Sequence, residues 1–287
     1  MKQNNADYQV VPSKGRRAMA FAMRSVQRKP MIHGLIEVDV TRARAFLRDH
    51  KAKTGESLSF TAFITTCLGK AVDENKSVQA CPKGSKHLIL FDEVDVSTMI
   101  ERDVAGQKQA TIYIIRAANK KTFREIHQEI RTAQVEEVAK ALTPAAGNNW
   151  VLFLPTFLIR FFFWAFWCLC RTYPHVQKKV LGTVGLTAVG MFGEGAGWGI
   201  PPGTPQTLYI TVGGIGEKQG VVDGHIAIRE YLSLTISFDH EMIDGAPAAR
   251  FTERLKDLIE SGYGLDDSTV ESQQATASVA PGTSKKS

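Results

Sequence analysis

The chain has 287 residues, of which 44% are hydrophobic, enough apolar material for the core of one sizeable domain or of two closely joined halves. This composition excludes an intrinsically disordered protein, which has too few hydrophobic residues to form a core. The net charge of +6 is modest, and no recognisable nucleic-acid-binding motif accompanies it, so nucleic acid is not expected as a partner.

The N-terminal region begins with an arm, residues 1–12, that is too polar for a secretory signal peptide. Basic residues then concentrate between Lys14 and Lys29. This concentration fits the solvated face of a helix, with attraction to anionic lipid headgroups or to phosphate groups as the alternative. A helix is predicted over residues 13–28 and a strand over residues 31–40.

The middle of the chain alternates between helical and strand-like patterns. Helices are predicted over residues 41–53 and 61–74, and a threonine at the start of each, Thr41 and Thr61, is expected to cap the first turn. Strands follow over residues 88–91, 96–101 and 111–115, and a further helix over residues 121–141. Helices and strands in this order indicate a layered α/β fold.

Residues 150–170 form a strongly apolar run that approaches the length of a membrane span. Pro155 interrupts its first part and Arg160 lies near its middle, which disfavours a clean transmembrane helix. On a helix over residues 156–171, two arginines and two tryptophans fall along one side: Arg160, Trp164, Trp167 and Arg171. Such a stripe is typical of a helix at the headgroup level of a bilayer. The alternatives are a helix buried in an oligomer, a true span, and a lid over a ligand tunnel.

The last third of the chain is predicted to be mostly sheet. Strands are expected over residues 183–189, 208–212 and 232–238, with a hairpin that turns at Asp223-Gly224, a dipeptide suited to a type I′ turn. A helix is predicted over residues 246–262. The segment 265–287 is expected to be a disordered tail, because serine, threonine, glutamine and lysine prevail there and no apolar period survives.

The four cysteines are expected to be buried free thiols in a reducing cytosol, because they lack Cys-x-x-Cys spacing and the density of a disulfide scaffold: Cys67, Cys81, Cys168 and Cys170. None of the seven histidines has His-x-x-x-His spacing, and no carboxylate cluster stands out. The sequence therefore predicts no metal site.

His240 follows the predicted strand at 232–238, in a His-x-x-x-Asp-Gly string that also contains Asp244 and Gly245. Histidine can take up a proton near neutral pH, and it needs a partner that fixes its tautomer, which Asp244 is close enough to supply. In the alternative interpretation His240 is an ordinary strand-end histidine and Asp244 caps the next helix. The three residue types by themselves do not decide between the two.

The strand, the His-x-x-x-Asp-Gly string and the helix after it resemble the catalytic domain of the dihydrolipoamide acyltransferases of 2-oxo acid dehydrogenase complexes, and of their relative chloramphenicol acetyltransferase. Other segments also resemble that domain: 16–23, 34–41, 58–72, 116–130 and 182–193. The resemblance covers residues 10–264 except for the apolar run. It implies an α/β fold, namely an α+β two-layer sandwich with a mixed sheet and flanking helices, that assembles as a trimer.

The resemblance also implies a domain organisation. Residues 1–12 would be an arm, residues 13–264 the catalytic domain with an apolar insertion at 150–171, and residues 265–287 the tail. Large family members carry lipoyl and subunit-binding domains ahead of the catalytic unit. This sequence has too few residues there to contain them, so a stand-alone catalytic domain is expected.

The family's catalytic residues can be placed on this sequence by the resemblance. It implies that His240 is the general base and that Thr187 donates a hydrogen bond to the oxyanion. Asp244 would be a structural partner that pairs with Arg16, or with Arg17 as the second choice. In the family's trimer, His240 and Thr187 would meet across a subunit interface.

The expected function is that of a coenzyme A-dependent acyltransferase, with an acyl-CoA as co-substrate and no bound cofactor. The acceptor would be a lipid, a small molecule or a lipoyl group on another protein. Glu241 stands where the family commonly has arginine, and the strand at Thr187 lacks a common serine-asparagine pair, which leaves the substrate open. The alternatives are thioester hydrolysis and a non-catalytic trimeric scaffold docked to a membrane or to a larger dehydrogenase-type assembly. A cytoplasmic location is expected, with peripheral contact at the inner face of the membrane as a variant of it.

Overall fold

The computed structural model describes residues 23–24, 29–84, 86–104, 107–135, 156–190, 195–201 and 203–266. The predicted arm at 1–12, and all of the predicted helix at 13–28 except two helical residues, lie outside them. So does the predicted tail from residue 267 onward. Leu265 is buried in the hydrophobic core, so the packed chain continues past the predicted start of the tail at 265.

Within the described residues, eight strands form two sheets. The strands are β1 (Met31–Asp39), β2 (Cys81–Lys83), β3 (His87–Ile89), β4 (Val96–Val104), β5 (Gln107–Ile115), β6 (Val184–Ala188), β7 (Leu208–Val222) and β8 (His225–Asp239). The main sheet has the strand order β1-β8-β7-β6-β4-β5, and β2 and β3 form a separate pair. The β4–β6 and β6–β7 pairs are parallel and the others are antiparallel. The predicted mixed sheet is therefore confirmed.

Six α-helices accompany the sheets in the described residues: α1 (Thr41–Thr54), α2 (Phe60–Glu74), α3 (Phe123–Val135), α4 (Thr156–Thr172), α5 (Pro174–Leu181) and α6 (Gly245–Glu260). Helix α2 is the most deeply buried, and it packs against α3 and α6, which in turn lie against strands of the main sheet. Large side chains such as Phe63, Phe123, Phe238 and Phe251 fill the space between the helices and the sheet. Burial of this apolar surface is the main stabilising term.

The first turns of α1 and α2 differ from their predicted starts. Helix α1 has Val40 at its N-cap position, and the Asp39 carboxylate accepts the Thr41 N–H at 2.9 Å. Thr41 is therefore not the cap. Helix α2 is capped by Ser59, whose hydroxyl accepts the Ala62 N–H at 3.2 Å, so the helix begins before Thr61.

Two local predictions agree with the structure. Asp223 and Gly224 both have positive φ, at 51° and 80°, as a type I′ turn requires between β7 and β8. Helix α4 extends over Thr156–Thr172, close to its predicted bounds. Within the described part of the chain, no helix is both long enough and apolar enough to cross a bilayer.

Candidate active site

The C-terminal end of β8 turns sharply at Asp239, and this turn carries His240. The backbone carbonyl of Asp239 accepts the N–H groups of Met242 and Ile243, each at 3.0 Å. One oxygen of its buried carboxylate accepts the Glu241 N–H at 3.1 Å. The aspartate therefore holds the turn through both its backbone and its side chain.

Lys29 neutralises the buried carboxylate of Asp239. Its Nζ atom lies 2.8 Å from Oδ2 of Asp239 and also donates to the carbonyl of Pro205 at 3.2 Å. A buried carboxylate without a partner would be costly, so the pair stabilises the turn beside His240. Sequence reasoning missed both residues. The only signal was the position of Asp239 directly before His240.

The geometry around His240 fixes the tautomer of its neutral ring. Its backbone N–H donates to the carbonyl of Pro30 at 2.8 Å, and the side chain is exposed. Nδ1 lies 2.9 Å from the carbonyl oxygen of Ile243. A carbonyl can only accept a hydrogen bond, so Nδ1 carries the proton and Nε2 keeps its lone pair. Nε2 can therefore take a proton from a ligand.

His127 shows the opposite arrangement. The Ser59 N–H donates to its Nδ1 at 3.1 Å, and Nε2 lies 3.3 Å from a carboxylate oxygen of Glu56. Burial, followed by the nearby Arg131, holds the pKa of His127 below its usual value. His127 is thus a neutral structural histidine, which joins the start of α2 to α3.

Asp244 occupies the N-cap position of α6 but does not orient the His240 ring. Its carbonyl accepts the Ala248 N–H at 3.1 Å, whereas its side chain makes no capping hydrogen bond. The partner that fixes the imidazole is the Ile243 carbonyl, not the Asp244 carboxylate as first expected. Arg16, its predicted partner, lies outside the described residues.

Thr187 lies on β6, where its hydroxyl contacts two side chains. Its Oγ1 atom is 3.7 Å from the sulfur of Met99 and forms a hydrogen bond with Tyr209. Burial raises the pKa of Tyr209, and the bond with Thr187 opposes that shift. The Tyr209 ring lies directly over Gly185, where a Cβ atom would come within 2.1 Å of the ring. Glycine at 185 therefore makes room for the side chain that positions Thr187.

Thr187 and His240 lie far apart in one chain. Thr187 is in register with Thr211 of β7, which in turn pairs with Thr235 of β8, and His240 comes five residues after Thr235, just past the C-terminal end of β8. From a rise of about 3.3 Å per residue and a strand spacing of about 4.8 Å, the two residues are roughly 19 Å apart. One chain does not bring the predicted base and hydroxyl together.

The predicted stripe on α4 is only partly exposed. Arg160, Trp164 and Arg171 point outward, but Trp167 is half-buried, with its ring centroid 5.6 Å from that of Phe166. On the helix Trp167 lies on the same side as Arg160, and it is the least exposed member of the stripe. Cys170, which lies one turn further along, faces the domain.

The cysteines are all free, and three of them are buried as predicted. Cys168 is the exception, because it lies on the outer side of α4. Burial raises the pKa of Cys81 and of Cys170 to about 11, and that of Cys67 further still, so these groups stay as thiols near neutral pH. Among the described residues, no three histidine, cysteine or carboxylate side chains cluster closely enough to hold a metal ion.

A family model described as 2-oxoacid dehydrogenases acyltransferase (catalytic domain) matches residues 5–148 and 177–265. The chain belongs to this family. The stretch between the two matched parts contains α4 and the residues of the predicted apolar insertion at 150–171.

Two curated members of the family match nearly the whole chain. The lipoamide acyltransferase component of the branched-chain alpha-keto acid dehydrogenase complex of Bacillus subtilis is 27% identical over 260 residues, 88% of this chain and 52% of that protein. The dihydrolipoyllysine-residue succinyltransferase component of Bartonella vinsonii is 24% identical over 265 residues, 90% of this chain and 55% of that protein. The chain therefore spans about half the length of the curated relatives it matches.

Solved acyltransferase structures show the same fold. A probable dihydrolipoamide acetyltransferase from Listeria monocytogenes has a TM-score of 0.63 at 22% identity, covering 90% of this chain and 96% of that one. The dihydrolipoamide acetyltransferase of Azotobacter vinelandii has a TM-score of 0.62 at 21% identity, with coverages of 90% and 94%. These likenesses confirm the predicted two-layer sandwich.

Proposed function

We propose that this chain is a coenzyme A-dependent acyltransferase in which His240 is the general base. The observation that carries the proposal is the hydrogen bond between Nδ1 of His240 and the Ile243 carbonyl. It leaves the lone pair on Nε2, on an exposed ring, which is the state that a general base requires. No cofactor needs to be bound, since the acyl-CoA is itself a substrate.

The chemistry follows from the position of that lone pair. Nε2 of His240 takes the proton of an acceptor thiol, hydroxyl or amine, and the acceptor attacks the carbonyl carbon of the thioester. The resulting oxyanion collapses, the bond between carbonyl carbon and sulfur breaks, and the imidazolium returns its proton to the sulfur of coenzyme A. An aligned hydroxyl donor stabilises the oxyanion, and Thr187 is proposed for this role.

The separation of Thr187 from His240 supports a homo-oligomer. At roughly 19 Å within one chain, the two can act on one thioester only if they come from different copies. The hairpin between β7 and β8 offers surface for such an assembly, because Val221, Ile226 and Ile228 are each more than 70% exposed there. A cyclic trimer is proposed, with the base and the donor on neighbouring subunits.

Asp244 is proposed to hold the histidine loop by pairing with Arg16. Crystallographic and enzymatic work on the A. vinelandii enzyme concerns the role of a serine, a histidine and an asparagine in its mechanism, and the latter two are four positions apart. His240 and Asp244 have the same separation. The names of the relatives also favour a lipoyl-bearing protein as acceptor.

The role of His240 can be tested with acetyl-CoA and longer acyl-CoA thioesters, with dihydrolipoamide as acceptor and free coenzyme A measured by chromatography. We expect His240→Ala to lower kcat/KM by about 10²- to 10⁴-fold. The control is His87→Ala, which removes an exposed histidine on β3 and should leave the rate unchanged. If His240→Ala and wild type release coenzyme A equally, His240 is not the base, and the result favours a non-catalytic trimeric scaffold.

The division of the site between subunits has its own test. Thr187→Val should lower kcat by about 10²- to 10³-fold, while Thr187→Ser keeps most of the activity. Mixing the inactive His240→Ala and Thr187→Val proteins under conditions of subunit exchange creates one intact site in each mixed trimer. About a quarter of wild-type activity should then return for a random trimer. No recovery, despite exchange detected by mass spectrometry, would place both residues in the same chain or neither in the site.

A further inference from the structure

Helix α4 presents an aromatic face that nothing in the described structure covers. Phe157, Phe161 and Trp164 lie on one side of the helix and are 67%, 56% and 63% exposed. These residues lie in the stretch that the acyltransferase family model leaves out. The exposed face is therefore a property of this chain and is not explained by the fold of the family.

The opposite face attaches α4 to the domain. Cys170 is buried on that face, and α4 contacts β2 and α5. The carbonyl of Arg171 accepts the Gly84 N–H at 3.1 Å, which ties the C-terminal end of α4 to the β2–β3 hairpin. Since one side of the helix is already fixed in this way, the aromatic side is held outward.

The charges beside the aromatic face are all positive. Helix α4 contains no aspartate or glutamate, and its two charged residues, Arg160 and Arg171, are exposed on the same side as Trp164. Among the residues that the structure describes, neither arginine forms an ion pair with a carboxylate. An apolar face flanked by unneutralised guanidinium groups is complementary to a surface that is apolar inside and anionic outside.

The size of the face argues against a second copy of the chain as its occupant. With about 200 Å² for each aromatic side chain, the exposed parts of Phe157, Phe161 and Trp164 offer roughly 370 Å². A stable protein–protein interface buries about 800 Å² on each partner and carries polar groups around its rim. The face is too small for that, but it is large enough for the apolar side of an interfacial helix.

We propose that α4 is an interfacial anchor that lies flat on an anionic lipid bilayer. Phe157, Phe161 and Trp164 enter the boundary between headgroups and acyl chains, and Arg160 and Arg171 contact the lipid phosphates. With 17 residues, α4 is about 25 Å long, shorter than the hydrocarbon core of about 30 Å, which suits a helix parallel to the surface. The anchor would bring the acyltransferase domain to the membrane surface.

The test measures co-sedimentation of the whole chain with vesicles of phosphatidylcholine alone, or of phosphatidylcholine mixed with phosphatidylglycerol. We expect binding to the anionic vesicles. The combined variant Phe157→Ser, Phe161→Ser and Trp164→Ser should bind at least about tenfold more weakly. Its control is Tyr263→Ser, which removes an exposed aromatic ring from another part of the surface and should bind like wild type.

The charge contribution is tested separately. Arg160→Gln and Arg171→Gln should each weaken binding to anionic vesicles by about fivefold. The matched control is Lys51→Gln with Lys53→Gln, which removes two exposed charges of α1 and should have little effect. Added salt should weaken the binding of wild type and of this control, because the headgroup contacts are exposed.

Three outcomes would overturn the proposal. The first is that wild type does not bind either vesicle, and the second is that the aromatic variant binds as well as wild type. The third is that the aromatic variant sediments as a smaller species in the absence of lipid, since another copy of the chain would then cover the face. Circular dichroism and thermal unfolding of each variant show whether the domain stays folded, so the result does not depend on the catalytic proposal.

Discussion

The ion pair between Lys29 and Asp239 offers a direct test of how the turn at His240 is held. Asp239→Asn keeps the shape of the side chain and an oxygen that can accept the Glu241 N–H, but it removes the negative charge opposite Lys29. The Asp239 side chain is only 3% exposed and the lysine 27%. The substitution thus leaves a partly buried ammonium group without its partner.

We expect Asp239→Asn to cause a moderate loss of stability. Removing one member of a fully buried pair costs about 3–5 kcal/mol. Water can reach Lys29 in part, and the hydrogen bond to Glu241 can persist, so we expect Asp239→Asn to lower the free energy of unfolding by about 2 kcal/mol, or Tm by roughly 5 °C. Because His240 directly follows the pair, kcat of the acyl transfer should also fall.

A double-mutant cycle measures whether the two side chains act as a pair. Lys29→Met, which keeps the length of the lysine but not its charge, leaves the Asp239 carboxylate unpaired and should destabilise by about 3 kcal/mol. The free energies of unfolding come from urea titrations followed by circular dichroism. The double variant should lose about 1–2 kcal/mol less than the sum of the two single changes.

Additivity of the two substitutions within about 0.5 kcal/mol would refute this reasoning, because contacting charges couple and independent sites do not. A second contrary result would be Asp239→Asn as stable as wild type. In that case the backbone bonds of the turn, between the Asp239 carbonyl and the N–H groups of Met242 and Ile243, would suffice by themselves.

Two further predictions concern stability. The folded pKa of His127 lies below its unfolded value of about 6.5, so the histidine's contribution is present above that pH and is lost as the pH falls below it. His127→Asn keeps an acceptor for the Ser59 N–H but cannot take up a proton, so its free energy of unfolding in urea should fall less between neutral and mildly acidic pH than that of wild type. An equal fall in both proteins would mean that other groups cause the pH dependence. Gly185→Ala should force the Tyr209 ring aside and cost about 1–3 kcal/mol, whereas Gly197→Ala adds a Cβ atom that meets nothing within 4 Å. Equal melting temperatures of these two variants would contradict the close approach of the Tyr209 ring to Gly185.

Local patterns in the sequence determined most of the elements and the position of the candidate base. Alternation of apolar and polar residues marked the strands, and Asp223-Gly224 marked its hairpin, because these preferences act between near neighbours in the chain. The His-x-x-x-Asp-Gly string placed His240 at the exit of β8, where the structure has it.

Contacts between distant segments were decided by the tertiary structure alone. The cap of α2 is Ser59, whose own N–H is held by His127 from another helix. Asp239 acquires its partner from Lys29, at the far end of the sequence. The helical period predicted the stripe on α4, but the lower exposure of Trp167 within it depends on which face of the helix meets the domain. A helical period shows that residues share a face, and only packing shows what that face touches.

The tautomer of His240 shows most clearly what the sequence determines and what only the folded chain decides. The sequence supplied the histidine and suggested the Asp244 side chain as its partner, whereas the folded turn brings the Ile243 carbonyl to Nδ1. A backbone carbonyl is present at every residue, so no sequence pattern distinguishes the one that will accept the bond. Likewise, the distance between Thr187 and His240 follows from the register of three strands, which is set by long-range pairing.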